Sequence, residues 1–222
     1  MRAPISVVIP TLNAAPQLAA CLAALVEGLE AGLIRELIVS DGGSSDDTTT
    51  LADAWGAQVV VGPASRGGQL QRGVAAAQGR WLLVLHADTV LREGWSAVAS
   101  EHLQSSDKAG WFRLRFDRGG RLVAGWANLR SRLGLPYGDQ GLLLPRDLYD
   151  AVGGYADQPL MEDVAMARSL RGRLVRLDAV AVTSAAKYRQ QGWIRRGARN
   201  LWTLVRYGCG VSPARLAQEY RR

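Results

Sequence analysis

Four apolar runs punctuate the first 85 residues: Ile5-Ser6-Val7-Val8-Ile9, Leu37-Ile38-Val39, Val59-Val60-Val61 and Trp81-Leu82-Leu83-Val84-Leu85. None alternates polar with apolar. Each predicts a strand, and the near-continuous β-branched first run predicts one covered on both faces, as strands of parallel sheets are. Pro10 marks the end of the first. Between the runs the apolar spacing turns helical. From Pro16 to Glu30, Leu18, Cys21, Leu22, Leu25 and Leu29 share one face, with proline at the helix start. Ser45-Asp46-Asp47 opens a second predicted helix reaching about Trp55, with acidic residues in its first turn. Leu70–Gln78 and Trp95–Leu103 are the next two. Strand alternating with helix predicts an α/β fold, a doubly wound, mostly parallel sheet with helices on both faces.

After about Gly110 the pattern changes. Trp111 to Asp117 alternates, predicting a strand of a mixed sheet. Helices are expected at Leu122–Leu133, Arg146–Val152, Asp163–Arg171 and Trp193–Tyr207. No repeat or low-complexity linker interrupts the chain, so residues 1–222 read as one domain, with a nucleotide-binding half at 1–110 and a substrate half at 111–222. In open parallel sheets, ligands bind beyond the carboxyl ends of the strands. The residues there are Pro10-Thr11-Leu12-Asn13, Ser40-Asp41-Gly42-Gly43, Gly62-Pro63 and His86-Ala87-Asp88-Thr89. Asp41 and Asp88 each close an apolar run, which favours chemistry over loop capping.

Several chemistries are excluded by what is missing. There is no GxGxxG after the first strand, no GxxxxGK[ST], no GxSxG, no CxxC and no HExxH. Apolar residues make up 48% and charged residues 21%, which excludes a disordered chain. Cys21 and Cys209 are too few for a disulfide framework. The runs are too short to cross a bilayer, and no signal peptide is expected, so the location read from the sequence is cytoplasmic. Net charge is +7, unevenly spread: residues 1–110 carry 7 basic and 11 acidic side chains, and 111–222 carry 20 and 9. The second half should attract an anion.

Six segments in order carry a family resemblance: SVVIPTLN (6–13), VSDGGSSDDT (39–48), RGGQLQRG (66–73), WLLVLHADT (81–89), PYGDQGLLL (136–144) and PLMEDVAMARSL (159–170). Together they resemble the motifs of family 2 glycosyltransferases, and most of all a short bacterial subgroup with HAD where most members have DxD. The resemblance implies a GT-A fold and an inverting transfer from a nucleotide-diphosphate sugar, UDP-sugar first among them, to a hydroxyl acceptor. It implies a divalent cation, Mn2+ or Mg2+, because the departing diphosphate carries charge that a hard cation stabilises.

Residue by residue, Asp88 matches the last aspartate of DxD, the usual metal ligand. His86 stands at the first; metal ligation, contact to phosphate or ribose, and capping of a backbone group all stay open for it. Pro10, Thr11, Asn13 and Ala87 match the nucleotide pocket. Asp41 matches the carboxylate that accepts from the base. Arg66, Gln69 and Arg72 fall where the family contacts the sugar nucleotide, and Gly67-Gly68 permits a close backbone approach. Glu162-Asp163 matches the ED pair, with Asp163 as the base that deprotonates the acceptor and Glu162 beside it as a catalytic-site residue that orients acceptor or neighbours. Asp139 and Gln140 are candidates for binding donor sugar or acceptor hydroxyls.

The C-terminal part departs from the family. Where many members have an aromatic-basic element such as RRW, this chain has Ala185-Ala186-Lys187-Tyr188-Arg189. From Lys187 to Arg206 there are six basic residues and no acidic ones. Ile194, Ala198, Leu201 and Val205 fall on one helical face. That face either lies on the inner surface of an anionic membrane, meeting a lipid-linked acceptor, or packs on the domain. A nucleotidyltransferase and a non-catalytic sugar-nucleotide binder are the alternatives to the transferase. Nucleic acid is not an expected partner, because no reading motif interleaves the arginines.

Overall fold

The computed structural model describes residues 3–220. The first half follows the predicted alternation: β1 (Ile5–Thr11), α1 (Ala15–Glu30), β2 (Ile34–Asp41), α2 (Thr48–Ala54), β3 (Gln58–Val61), α3 (Arg66–Ala76) and β4 (Trp81–Val84). The first strand runs through Pro10 and ends at Thr11, pairing Pro10 with Ser40 and Thr11 with Asp41. The third helix begins four residues before the expected Leu70, because Ser65 caps it by accepting from the Gly68 N–H. Then come β5 (Thr89–Leu91), α4 (Trp95–Ser105), β6 (Ala109–Phe116), α5 (Arg121–Arg132), a 3-10 turn at Gly138–Gln140, β7 (Leu142–Pro145), α6 (Arg146–Ala151), α7 (Glu162–Ser169), β8 (Leu174–Thr183), α8 (Ala186–Gln191), α9 (Trp193–Gly208) and α10 (Pro213–Tyr220).

One eight-stranded sheet results, in the order β3-β2-β1-β4-β7-β6-β8-β5. The pairs β3–β2, β2–β1, β1–β4 and β6–β8 are parallel; β4–β7, β7–β6 and β8–β5 are antiparallel. Both faces of the central strands are covered, whereas the edge strand β3 leaves Gln58 and Val61 exposed and β6 leaves Arg113 and Arg115 in solvent. Ile5, Val7, Ile9 and Leu83 belong to a core containing Leu18, Leu22 and Trp95 from α1 and α4. Val8, Ile38, Leu82 and Val84 belong to a second core with Leu70 and Met166 from α3 and α7. This two-sided burial is why β1 shows no polar alternation.

The register decides where the site forms. β7 runs against β4, pairing Leu142 with Val84. The turn at 137–141 therefore sits beside the carboxyl end of β4. β5 pairs Thr89 with Thr183, the last residue of β8, so residues 184–187 emerge next to Asp88. Four strand spacings separate β4 from β5, about 19 Å in a flat sheet. The chain from Val84 to Thr89 reaches at most about 18 Å. The sheet must curl to close that span, and His86-Ala87-Asp88 crosses the resulting concavity.

Candidate active site

Two adjoining cavities open at the carboxyl ends of the strands. The larger, about 630 Å³, is walled by the Pro10–Ala14 segment, Ser65-Arg66, Gln69 and His86–Asp88. That volume suits a small-molecule ligand, whose sites span about 300–1,000 Å³. The smaller, about 140 Å³, contains Asp139, Asp163, Tyr137 and Met161. Arg66, His86, Asp88 and Lys187 line both. Two parts of the chain expected to act together, the HAD segment and Asp163 of the ED pair, thus meet at one place.

The Asp88 carboxylate and the His86 ring form no side-chain hydrogen bond among the described residues, although both face the cavities. Burial, and next the nearby Arg66, hold the His86 imidazole down at about 4, so the ring is neutral and can offer a nitrogen lone pair. Gly138 lies against this ring: a Cβ there would stand 2.2 Å from His86 Nε2. Asp139 Oδ1 is buried without a hydrogen-bond partner. Burial raises the Asp139 carboxyl to about 6, opposed by Arg130 and reinforced by Asp163 and Asp88. Unpartnered carboxylate and imidazole donors facing a polar cavity fit a divalent cation. The described residues contain no ready-made cluster of three such ligands. A cation here would complete its shell from a diphosphate and water.

Asp163 heads α7. Its Oδ2 accepts from the Gly138 N–H at 2.9 Å and its Oδ1 from the Val164 N–H at 2.7 Å. Each oxygen keeps capacity for a further bond. The preceding Met161 has φ 65°, a left-handed conformation unusual for a side chain of its size. Glu162 is turned away from both cavities. It is 1% exposed, and neither carboxylate oxygen has a hydrogen-bond partner; its one ion pair is with Arg66 Nη1 at 3.7 Å. It pairs with Arg66, the first residue of α3, and lines neither cavity. The first turn of α3 is held by Gly67, whose N–H donates to the Gln158 carbonyl at 3.0 Å. A Cβ on Gly67 would stand 1.9 Å from the Ala156 carbonyl oxygen, so the close approach is by the chain itself.

Three more expected contacts point elsewhere. Asp41 is buried and saturated: Thr11 Oγ1 and Ser44 Oγ donate to one oxygen at 2.8 and 2.6 Å, and the Gly43 and Ser44 N–H groups to the other at 2.8 and 2.7 Å. It shapes the loop and does not line either cavity, and a base N–H would have to displace one of these donors. Gln140 is fully buried, accepting from Ser131 Oγ at 2.5 Å and donating to the Phe112 carbonyl at 3.3 Å. It builds the turn that presents Asp139. Arg72 lies outside the cavities, its Nη2 donating to the Pro63 carbonyl at 2.9 Å.

Of the pocket residues, Pro10, Thr11, Asn13, Gln69 and Ala87 line the larger cavity. Gln69 also ties two strand ends, donating to the Thr11 and Ser40 carbonyls at 2.7 and 3.0 Å. Lys187 was not among the expected site residues. Its signals are its position four residues after the last core strand and its place in the run 185–189 that stands where the family has an aromatic-basic element.

A family model described as Glycosyl transferase family 2 matches residues 6–156. The chain belongs to glycosyl transferase family 2. The matched span holds every candidate residue except Glu162 and Asp163. A PGL/p-HBAD biosynthesis glycosyltransferase of Mycobacterium tuberculosis is 38% identical over 101 residues, 42% of this chain and 39% of that one. An uncharacterized glycosyltransferase of the same species is 40% identical over 91 residues, 40% of this chain and 39% of its own length. The chain thus aligns with well under half the length of these relatives.

Among solved structures, the family 2 chain resembles the mannosyltransferase PcManGT of Pyrobaculum calidifontis in complex with GDP-Man and Mn2+. The TM-score is 0.66, with 18% identity, covering 96% of this chain and 67% of that one. It also resembles the glucosyl-3-phosphoglycerate synthase of Mycobacterium tuberculosis in complex with Mn2+, UDP and glucosyl-3-phosphoglycerate. There the TM-score is 0.63, with 22% identity, covering 94% and 81%. At such identities the likeness establishes the GT-A fold.

Proposed function

We propose that this chain transfers a sugar from a nucleotide-diphosphate sugar, a UDP-sugar in the first instance, to a hydroxyl acceptor with inversion at the anomeric carbon. The observation that carries the reading is the convergence of Asp88, His86 and Asp163 on cavities joined at the strand ends. The nucleoside lies over Pro10–Asn13 in the larger cavity. Asp88 and His86 would hold a divalent cation, which would supply charge neutralisation at the diphosphate. Arg66 and Lys187 face the same anion from two sides.

The acceptor hydroxyl enters the smaller cavity. Asp163 takes its proton as the oxygen attacks the anomeric carbon, and the bond to the diphosphate breaks on the opposite face with its electron pair leaving on phosphate. Asp139, on the same wall, receives hydroxyls of donor or acceptor. Met161 and Leu160 restrict water. Calorimetry with UDP, with and without Mn2+, tests the donor half of this reading. Failure of UDP to bind under either condition, with other nucleoside diphosphates equally inert, overturns it.

A further inference from the structure

α5 and α9 stand side by side and both leave apolar faces in solvent. On α5 and its C-terminal cap the exposed residues Leu122, Trp126, Leu129 and Leu133 recur at helical spacing; Leu122 is 90% and Trp126 53% exposed. On α9, Ile194, Leu201, Trp202 and Val205 do the same, with Ile194 88% and Trp202 62% exposed. The two stripes are one surface, because Trp126 and Leu201 line the same groove between the helices. Contiguous apolar patches of this kind mark interaction sites.

Charge selects the partner. Residues 118–138 and 186–212 carry ten basic and no acidic side chains. Arg118, Arg121, Arg132, Arg189 and Arg195 are exposed and have no ion pair among the described residues. A second copy docked face to face would set arginine against arginine. An anionic lipid surface answers both halves of the pattern, apolar side chains entering the acyl boundary and guanidinium groups meeting headgroup phosphates.

The groove also leads somewhere. Tyr137, Asp139, Tyr188 and Asn200 line both it and the smaller active-site cavity. We infer that the α5–α9 face seats this protein on an anionic membrane, so that an amphiphilic acceptor reaches Asp139 through the groove with its apolar part still in the bilayer. The second clause rests on the transferase reading; the docking does not.

Co-sedimentation of the full chain with vesicles of phosphatidylcholine alone, and of phosphatidylcholine with phosphatidylglycerol, tests the docking. Binding should require the anionic lipid and fall with salt, because exposed charges are screened beyond about 10 Å at 0.1 M. Trp126→Ser with Trp202→Ser should weaken it about tenfold or more. Arg121→Glu with Arg195→Glu, on exposed helix positions, should do the same without touching the apolar stripe. UDP affinity should be unchanged in both variants. Binding that ignores lipid charge, or that survives both variants, overturns the inference. So does a dimer in solution that the tryptophan variant converts to monomer. Vesicle binding with no binding of UDP or of other nucleoside diphosphates would leave the docking standing and remove the transferase reading, and the reverse result would separate them the other way.

Discussion

The main-chain N–H of Gly138 donates to Asp163 Oδ2 at 2.9 Å across 25 positions of sequence. This bond ties the turn before β7 to the head of α7. It makes the location of the proposed base depend on a loop that also carries Asp139 and abuts His86. An asparagine at 163 can still accept from Gly138 through its carbonyl oxygen, so the tie need not be lost with the charge.

Asp163→Asn should therefore leave the fold and the UDP affinity intact while lowering transfer by about 10²–10⁴-fold, the usual contribution of a general base. Single-turnover transfer set against calorimetric UDP affinity is the measurement. Transfer within a few-fold of the parent would move the base role to Asp139, which stands on the same cavity.

Asp88→Asn should act earlier. With the cation's carboxylate gone, Mn2+ should no longer tighten UDP, while the metal-free affinity changes little. Titrations of UDP with and without Mn2+ decide it: a variant with the parent's full Mn2+ effect places the cation elsewhere.

Gly138→Ala tests the cradle around His86. The new Cβ would stand 2.2 Å from His86 Nε2, so either the ring must swing from its present place on the cavity wall or the turn must shift. The expected result is weaker Mn2+-dependent UDP binding with about 1–3 kcal/mol of lost stability. Full retention of both would show that the turn moves freely.

Glu162 predicts a pH signature. Burial, and next Asp163, raise its carboxyl from 4.5 to about 7 against the pull of Arg66. The folded state thus holds this proton more tightly than the unfolded chain. The stability it contributes is complete below about 4.5 and is lost as pH rises through about 7. Asp139, raised to about 6, slopes the same way. Glu162→Gln should flatten the fall in melting temperature across this window by the equivalent of about 1 kcal/mol or more, leaving the smaller slope of Asp139. An unchanged slope would mean that Arg66 keeps Glu162 charged.

Gln140→Ala should cost about 1–3 kcal/mol, because it removes the amide donor to the buried Phe112 carbonyl and leaves the Ser131 hydroxyl with the Ala127 carbonyl as its one acceptor. Melting temperature reports it. A variant as stable as the parent but impaired in transfer would put Gln140 back among the substrate contacts.

The sequence by itself determined the parallel half of the sheet, since apolar runs such as Ile5–Ile9 and Trp81–Leu85, too short for core helices and set between helical stretches, read as strands. It also determined which loop ends hold polar residues, and the six ordered motifs led to the family that the model of residues 6–156 then matched. The antiparallel strands were harder to read. Leu142–Pro145 is four residues long and Thr89–Leu91 three, too short for a periodicity to show. Whether each side chain faces the cleft was a tertiary decision. Asp41 and Gln140 stand beside the site in sequence, yet their oxygens are consumed by neighbouring N–H and O–H donors, because a buried polar group must be paired wherever the fold allows it. Lys187 and Asp163 reach the cleft for a complementary reason. The curl of the sheet and the registers Leu142–Val84 and Thr183–Thr89 set the ends of four strands together, and strand register follows from long-range pairing that no local pattern records.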